Sequence, residues 1–532
     1  MDIALIGTYA HPLALGLRYV SASLKRDGHR VRMLFMTSKR ETARADFSPR
    51  LLDALIDRVR GAELIGLSLM TNTFHRARVL TEALRKGGIR APIIWGGIHP
   101  TLAPEESLET ADIVCVGEGE RPVCALASAM EAGRDPTRID GLWFRRNGQI
   151  IRNPVAELRN DLDSNPFPDY DYTDEHYVVS GDEFVPARPE LLRGVLDRYR
   201  MQSARGCPYS CGFCNNAAQR LLHKGRGPWV RLRSVANVMA ELEERVARYP
   251  SIEAVNIVDD LFLVRSEADL AEFTRLYTER INLPIEFDVH PMVVTPGKIA
   301  ALRGLPIALA SMGIQSGSQD TLYNIFNRRT PPARIAQAIE LLSRNRIPAE
   351  YHYIIINPFE PDRNVIETIR FAARHHRGPA VVRLFPLALY PATPLYERAV
   401  AEGIIEGRHE EAYEVTYGSN VHMLRASYLT TVLRVVLALK NAGIPAWFAE
   451  AFAAAATSRV ARFCLDRRWF PYAAFGAYCV GHFVHRKIVH QLLVRPLALL
   501  TRPFRKRSRP RPRSRADRSR GTCPDPASET AA

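Results

Sequence analysis

The stretch Arg205-Gly206-Cys207-Pro208-Tyr209-Ser210-Cys211-Gly212-Phe213-Cys214 places three of the eight cysteines of this 532-residue chain within eight positions. Thiolates are the preferred ligands of iron-sulfur clusters, and the Cys-x3-Cys-x2-Cys spacing can hold three sulfurs around one small volume. Three ligands leave one iron of a cluster open to a substrate or co-substrate. We therefore predict Cys207, Cys211 and Cys214 as metal ligands. A structural zinc site is the alternative, but it needs a fourth ligand, for which His223 is only a remote candidate.

The cysteine stretch follows the first strand of a predicted βα series that occupies residues 196–410. Short apolar runs alternate there with amphipathic helices, and we predict strands near 201–205, 254–258, 285–289, 309–314, 351–356 and 381–387. Six such units predict a partial (β/α)6 barrel, in which chemistry gathers at the carboxyl ends of the strands. Asp259 and Asp260 follow one of these strands, and paired acids at a strand end rarely serve packing, so both are candidate catalytic residues.

The first 140 residues predict a separate α/β domain. Apolar strands near 3–6, 31–35, 64–69, 93–95 and 113–116 alternate with helices, which is a doubly wound, Rossmann-like pattern. In such sheets a ligand lies beyond the carboxyl ends of the strands. Residues 141–195 contain Asn165-Pro166-Phe167-Pro168-Asp169-Tyr170 and lose this periodicity, so we predict that they form a linker.

The cysteine motif resembles the signature of the radical S-adenosylmethionine (SAM) superfamily, Cys-x3-Cys-x-aromatic-Cys, through Cys207, Cys211, Phe213 and Cys214. The resemblance implies that the three cysteines hold a 4Fe-4S cluster, and that its free iron chelates the amino and carboxylate groups of SAM. It implies that one-electron reduction, by a donor such as flavodoxin or ferredoxin, releases methionine and a 5′-deoxyadenosyl radical. Phe213 is then expected to lie against the adenine.

Further segments resemble cobalamin-dependent members of that superfamily. They are Arg231-Leu232-Arg233-Ser234, Asp259-Asp260-Leu261-Phe262, Gly313-Ile314-Gln315-Ser316-Gly317-Ser318 and Pro391-Ala392-Thr393-Pro394-Leu395-Tyr396. Where many relatives have Glu-Ser-Gly, this chain has Gln315-Ser316-Gly317, which keeps hydrogen bonding to SAM but removes a charge. The adenine segment Gly-x-Ile-x-Gly-x-x-Glu survives only as Ile355 and Glu360. The SAM contacts implied by the resemblance are Phe213, Gln315, Ser316, Gly317, Ile355, Asn357 and Glu360.

The N-terminal domain resembles the cobalamin-binding domain that precedes such barrels. The resemblance rests on Gly96-Gly97-Ile98-His99-Pro100-Thr101 and on Val116-Gly117-Glu118-Gly119-Glu120. We expect glycines to admit a flat macrocycle and polar side chains to bind its nucleotide tail. The candidate cobalamin residues are Ser68, Thr71, Asn72, Thr73, Gly96, Gly97, His99, Gly117, Glu118 and Gly119. The Asp-x-His-x-x-Gly motif of another cobalamin class is absent, so no histidine is expected to ligate cobalt, with His11, His75 and His99 as alternatives. The alternative is that the domain keeps this fold but no longer binds cobalamin.

The C-terminal part differs in composition. Residues 411–500 show an Ala- and Leu-rich helical pattern, and residues 501–532 are predicted to be a disordered basic tail, in which Arg502 to Arg520 hold ten basic residues and one acidic residue of a chain with formal charge +15. The uncharged run Trp469 to His485 is short for a membrane span, so a hairpin is favoured and peripheral contact with anionic lipid is the alternative. Nucleic-acid binding is disfavoured, and the sparse cysteines indicate a cytoplasmic compartment.

Three functions follow from these features. The favoured one is a cobalamin-dependent radical SAM methyltransferase that acts on an unactivated carbon of a small-molecule substrate. A radical cyclisation or rearrangement is the first alternative, and a scaffold protein with a degenerate site is the second. The apolar C-terminal region favours a lipophilic substrate.

Overall fold

The structure is a computed structural model that describes residues 1–9, 11–12, 14–37, 47–170, 175–188, 197–405 and 427–465. The predicted basic tail and the run Trp469 to His485 lie outside the described residues, as does most of the predicted helical region 411–500.

The N-terminal domain is built on one nine-stranded sheet with the order β7-β6-β5-β4-β3-β1-β2-β8-β9. Its strands are β1 (Asp2–Gly7), β2 (Arg30–Phe35), β3 (Leu64–Ser68), β4 (Ile93–Gly96), β5 (Ile113–Cys115), β6 (Leu142–Arg146), β7 (Gln149–Arg152), β8 (His176–Ser180) and β9 (Glu183–Pro186). The helices are α1 (Leu15–Arg26), α2 (Pro49–Val59), α3 (Phe74–Lys86), α4 (Ile98–Leu102), α5 (Pro104–Ser107) and α6 (Glu120–Glu131). Strands β1 to β5 and β8 run parallel, which confirms the predicted doubly wound fold.

Alternation of side chains along β1 explains why helices cover both faces of this sheet. Ala4 and Ile6 pack with the apolar residues of α2 and α3, whereas Ile3 and Leu5 pack with those of α1 and α6. Each face therefore buries its own hydrophobic core, as a doubly wound sheet requires.

The segment 141–195 is not a simple linker. It supplies β6 and β7, which pair antiparallel beyond β5, and β8 and β9, which extend the sheet beyond β2. These strands are four or five residues long and mostly half-exposed, so they carry too little hydrophobic pattern to be predicted.

The crossing segment before β8 is held by the N-terminal domain. The fully buried Arg18 donates to the carbonyl of Asp169 and stacks on the ring of Tyr170, 4.0 Å from its centroid. The carboxylate of Asp169 also binds Ser21 and Lys25. Tyr170 belongs to the core of the second domain, so this segment attaches one domain to the other.

The second domain contains a six-stranded parallel sheet with the order β10-β13-β14-β15-β16-β17, which confirms the predicted partial (β/α)6 barrel. Its strands are β10 (Arg198–Met201), β13 (Ala254–Ile257), β14 (Ile285–Val289), β15 (Ile307–Gln315), β16 (Ala349–Ile355) and β17 (Val381–Pro386). A small antiparallel pair, β11 (Ala204–Arg205) and β12 (Arg231–Leu232), lies outside it. The helices are α7 (Asn215–Leu222), α8 (Val235–Arg248), α9 (Glu267–Arg280), α10 (Pro296–Ala301), α11 (Pro332–Arg344), α12 (Asp362–His375) and α13 (Pro394–Ala401).

Three further helices follow the barrel: α14 (Tyr428–Asn441), α15 (Ala446–Ala456) and α16 (Arg459–Leu465). Apolar residues of α14 and α15 join the same hydrophobic core as α12, and Asn441 exchanges hydrogen bonds with the backbone of Ala380. The described part of this region is therefore an extension of the barrel core. Within the described ranges, no helix has both the length and the apolarity to cross a membrane.

Candidate active site

The predicted cysteine motif forms a loop, residues 206–214, between β11 and α7, which we call the cysteine loop. Asp259 fixes the chain just before this loop. Its fully buried carboxylate accepts the backbone N–H groups of Ser203, at 2.6 Å, and Ala204, at 2.9 Å, and it also accepts the Ser203 hydroxyl. These bonds occupy the carboxylate, so Asp259 acts as a positioning residue and does not present the free catalytic group that the sequence suggested.

Asp260 joins the two ends of the cysteine loop. One carboxylate oxygen accepts the N–H of Gly206 at 3.2 Å, and the other accepts the side-chain amide of Asn216 at 2.7 Å. Gly206 precedes Cys207 and Asn216 follows Cys214, so a single side chain closes the loop. Unlike Asp259, Asp260 is exposed to solvent and borders the cavity described below.

Gly206 is required for the close approach of the loop to Trp229. Its φ is +87°, and a Cβ added there would lie 2.2 Å from the carbonyl oxygen of Trp229. The indole N–H of Trp229 donates to the carbonyl of Cys207 at 3.0 Å. A side chain at position 206 would therefore displace the backbone that leads into the first cysteine.

The far side of the cysteine loop is held by the barrel. The N–H of Gly212 donates to the carbonyl of Phe326 at 2.7 Å, and its carbonyl accepts the N–H of Leu395 at 3.0 Å. Leu395 is the second residue of α13, and the hydroxyl of Thr393, which precedes this helix, accepts the N–H of Tyr396. The Pro-x-Thr-Pro segment identified in the sequence thus provides a capped helix start that binds the loop.

The three thiols fit an iron-sulfur cluster. All three are free, and burial raises the pKa of Cys207 to about 11 and that of Cys214 to about 12. The charge of Cys211 acts on both of these thiols, and the charge of Cys207 also acts on Cys214, so the three lie together. Among the residues that the structure describes, no three Cys, His, Asp or Glu side chains converge on a single-ion site, so His223 is not assembled with them. An iron-sulfur cluster does not require the three thiols to converge on one ion, since each thiolate binds a separate iron.

Arg328 contacts the cysteine loop, although it is not among the residues predicted from the sequence. Its guanidinium places Nη1 3.5 Å from Sγ of the buried Cys211, while Nη2 donates to the carbonyl of Gly313 at 2.6 Å. A buried cation beside a thiol stabilises the thiolate that iron requires. No local motif marks Arg328, because the contact spans 117 positions of the chain.

Four of the predicted SAM residues lie in this loop or at the carboxyl end of β15. Phe213 packs edge-to-face against Phe326, with ring centroids 5.0 Å apart. Gln315, at the end of β15, adopts φ +70°. The hydroxyl of Ser316 and the N–H of Gly317 both bond to Thr368, which fixes the turn after β15.

Three predicted SAM residues lie at the end of β16 or within five residues after it. Ile355 is buried in the barrel core, Glu360 accepts the hydroxyl of Thr321 at 2.7 Å, and burial raises the pKa of Glu360. Asn357 accepts the N–H of Phe359, but its buried Nδ2 has no partner among the described residues. An unpaired buried donor is costly unless a ligand binds it, so Asn357 fits a polar cofactor at this position.

A cavity of about 580 Å³ lies between the carboxyl ends of the N-terminal strands and the cysteine loop. Six predicted cobalamin residues line it: Ser68, Gly96, Gly97, Gly117, Glu118 and Gly119. From the other domain, Gly206, Asn216 and Asp260 line it as well. Its position at the strand ends and its glycine-rich wall fit a large flat cofactor.

The remaining predicted cobalamin residues, Thr71, Asn72, Thr73 and His99, do not line this cavity. A short 3₁₀ turn at Thr71–Thr73 bends away, and the Thr73 hydroxyl bonds with the backbone of Met70. His99 is fully buried, 3.5 Å from Glu106, and burial lowers its pKa to about 3. The alternative cobalt ligands His11 and His75 lie outside the cavity wall too.

Glu118 connects the two domains. Its carboxylate lies 3.2 Å from Arg205 and 2.5 Å from Arg231, both in the second domain. Burial acts to raise the pKa of Glu118, but the two guanidinium groups reverse this and lower it to about 2. The Gly-Glu-Gly-Glu segment therefore forms an ion-pair network with the residues before and after the cysteine loop. The repeated acids were the only sequence signal for this role.

Comparisons with known proteins agree with this arrangement. The B12 binding domain family matches residues 2–127, and the Radical SAM superfamily matches residues 201–372. Uncharacterized methyltransferase PH0819 of Pyrococcus horikoshii is 25% identical over 451 residues, which cover 82% of this chain and 91% of that protein. An anaerobic magnesium-protoporphyrin IX monomethyl ester cyclase of Synechocystis is 30% identical over 226 residues, 41% of this chain and 39% of that enzyme.

A solved structure shares the fold. The radical SAM methyltransferase TsrM from Kitasatospora setae, with tryptophan and a SAM analog bound, superposes with a TM-score of 0.61 at 18% identity, covering 75% of this chain and 76% of that one. TsrM has also been solved with cobalamin and a [4Fe-4S] cluster. This chain is therefore an enzyme of the radical SAM superfamily with an N-terminal B12-binding domain, and its cofactors are a 4Fe-4S cluster, S-adenosylmethionine and cobalamin.

Proposed function

We propose that this enzyme transfers a methyl group to an unactivated carbon of a small molecule in a cobalamin-dependent reaction. The observation that carries the proposal is the shared cavity, since one wall comes from the B12-binding domain and the other from the residues that close the cysteine loop. When bound, cluster and SAM supply a 5′-deoxyadenosyl radical and cobalamin supplies a transferable methyl group. A soluble reductant such as flavodoxin or ferredoxin would provide the electron.

The residues of the chain have separable tasks in this proposal. Cys207, Cys211 and Cys214 hold the cluster, and Asp260 keeps the ends of their loop together. The unpaired Nδ2 of Asn357 donates a hydrogen bond to SAM.

The decisive experiment compares the wild-type enzyme with a variant in which all three loop cysteines are alanine. After anaerobic reconstitution with iron, sulfide, SAM and cobalamin, we expect cluster absorbance, EPR signals and reductant-dependent 5′-deoxyadenosine only in the wild type. Cys124→Ala is the matched control, because Cys124 is a buried free cysteine of the other domain. Iron retention by the triple variant would overturn the assignment.

Methyl transfer is distinguished from ring formation by isotope labelling. The similarity to the Synechocystis cyclase supports radical cyclisation as the second candidate function. With SAM labelled in its methyl group, a methyltransferase passes the label to its product. The enzyme is incubated with labelled SAM and a small-molecule extract of native cells. Products that form as SAM is consumed but carry no label would favour cyclisation or rearrangement.

A further inference from the structure

The face of the six-stranded sheet opposite to the helices is polar, and we call it the inner face. Because side chains alternate along a strand, Ile285, Phe287 and Val289 of β14 pack in the hydrophobic core with the helices. Glu286 and Asp288 therefore project from the inner face. Charged residues are rarely placed on such a face without partners or a function.

The carboxylates on either side of Asp288 are neutralised within the protein. Glu286 lies 2.5 Å from Arg198, which is on β10, two strands away in the sheet. Glu350, on β16, lies 2.7 Å from His352 and 2.9 Å from Arg383 of β17. Both acids thus have cations of the sheet as partners.

Asp288 lacks such a cation. In the described part of the chain no Lys or Arg lies within 4.0 Å of its carboxylate, and its hydrogen-bond partner is Ser311, the residue opposite on β15. Part of Asp288 reaches solvent, but nearby protein atoms displace water from its carboxylate. This desolvation raises the pKa of Asp288 to about 6, with His352 opposing the effect and Glu350 adding to it. A carboxylate in this environment is stabilised by a cation that enters from outside.

His290 supplies a second, independent group beside Asp288. The chain stays extended through this residue, so His290 lies on the same face two positions along. Its Nδ1 accepts the N–H of Met292 at 3.2 Å, which leaves the ring hydrogen on Nε2. The His290 side chain is more than nine-tenths buried, and Nε2 has no partner among the described residues. The N–H at Nε2 is therefore a hydrogen-bond donor for which the described residues supply no acceptor.

Both groups face the cysteine loop. The ring of His290 stacks on Tyr209, between the first two cysteines, with centroids 3.8 Å apart. The charge of Asp260, which closes that loop, reaches Asp288. A molecule bound to Asp288 and His290 would therefore lie next to the place where the cofactors act.

We propose that Asp288 and His290 form a substrate subsite for a protonated amine that has an oxygen acceptor close to it. Asp288 accepts from the ammonium group and His290 Nε2–H donates to the oxygen. This subsite rests on the proposed function, because it specifies the substrate class of the proposed methyltransferase site. It replaces the lipophilic substrate that the apolar C-terminal sequence favoured.

The test uses two probes that differ only in the amine, phenylalaninol and 3-phenylpropan-1-ol. Their binding to the full-length reconstituted enzyme is measured by calorimetry at neutral pH without reductant, with SAM saturating because SAM itself carries an ammonium group. We expect the wild type to bind phenylalaninol at least about tenfold more tightly. Asp288→Asn should abolish this preference, whereas Asp288→Glu should keep most of it.

Two further variants separate the roles of the two groups. Glu286→Gln is the matched control, because Glu286 already has a cation partner, and it should keep the amine preference. His290→Phe keeps an aromatic ring against Tyr209 and should weaken both probes equally, by about three- to tenfold. Equal binding of the two probes to the wild type, or an amine preference that persists in Asp288→Asn, would overturn the proposal.

Cluster absorbance and 5′-deoxyadenosine formation are measured on the same preparations. A wild-type enzyme that forms the radical normally but shows no amine preference contradicts the subsite alone. An intact preference in an enzyme that forms no cluster or radical supports the subsite and contradicts the proposed function.

Discussion

Arg205 and Glu120 form an ion pair across the two domains, with Nη2 of the arginine 2.5 Å from Oε1 of the glutamate and side-chain exposures of only 13% and 11%. Arg205 stands two positions before Cys207, and Glu120 begins the helix that follows the cavity wall. The first cysteine and the cofactor cavity are therefore held in one rigid relationship.

Glu120→Gln should weaken this connection. Of the described residues, the nearly buried Arg205 would keep Glu118 alone as an ion-pair partner, so we expect the free energy of unfolding to fall by about 1.5 to 3 kcal/mol, measured by urea denaturation. The control is Glu105→Gln, which removes the partner of Arg152 in a half-exposed pair and should cost less than about 1 kcal/mol. Equal losses in the two variants would show that Glu120 has no special role.

Gly206→Ala should prevent cluster assembly, because the new Cβ would collide with the carbonyl of Trp229. Gly225→Ala is a matched control, since its φ is +79° and nothing lies within 4 Å of the added atom. Both variants acquire strain from a positive φ, but only the first has the overlap, which we expect to cost about 1 to 3 kcal/mol more. Iron content per chain is the readout, and full loading of Gly206→Ala would contradict the prediction.

Asp259→Asn should change the dependence of stability on pH. Burial raises the folded-state pKa of Asp259 to about 6 from an ordinary value of 3.8. The folded protein therefore binds this proton more tightly than the unfolded chain, so the associated stability is present below pH 3.8 and is lost as pH rises to about 6. An amide does not titrate.

We accordingly expect the stability of Asp259→Asn relative to wild type to rise by about 2 to 3 kcal/mol between pH 4 and pH 7. Urea denaturation of both proteins at each pH measures it, and the other titrating groups cancel in the difference. A difference that is constant with pH would refute the assigned shift.

Arg328→Met should lower the reduction potential of the cluster. The guanidinium lies 3.5 Å from Sγ of Cys211, and a cation beside a ligand thiolate favours the reduced, more negative cluster. We expect a shift on the order of tens of millivolts in an anaerobic redox titration followed by EPR. The neighbouring Arg329 stacks on Tyr323 instead, so Arg329→Met should leave the potential unchanged.

Local pattern was sufficient for the elements that dominate this fold. The predicted strand at 285–289 coincides with β14, and the parallel strands of both sheets except β8 were predicted, because most of them are apolar runs with a clear helix after them. The three cysteines predicted as metal ligands could be identified for the same reason, since their spacing is local.

Long-range contacts could not be read in this way. Arg205 and Arg231 look like ordinary surface cations in the sequence, and only the fold brings them to Glu118. Thr73 was assigned to cofactor binding because it follows a strand, yet its hydroxyl serves the turn in which it lies. Position at a strand end predicts the neighbourhood of a ligand, but hydrogen-bond competition decides which side chain is left to bind it.

The strands supplied by residues 141–188 have a consequence for how the N-terminal domain can be isolated. They cover both margins of the sheet, with β6 and β7 beyond β5 and with β8 and β9 beyond β2. A fragment that stopped at residue 140 would uncover two unpaired backbone ladders and would be prone to self-association. Autonomous folding of this domain should therefore require a fragment that extends to about residue 188, where β9 has ended.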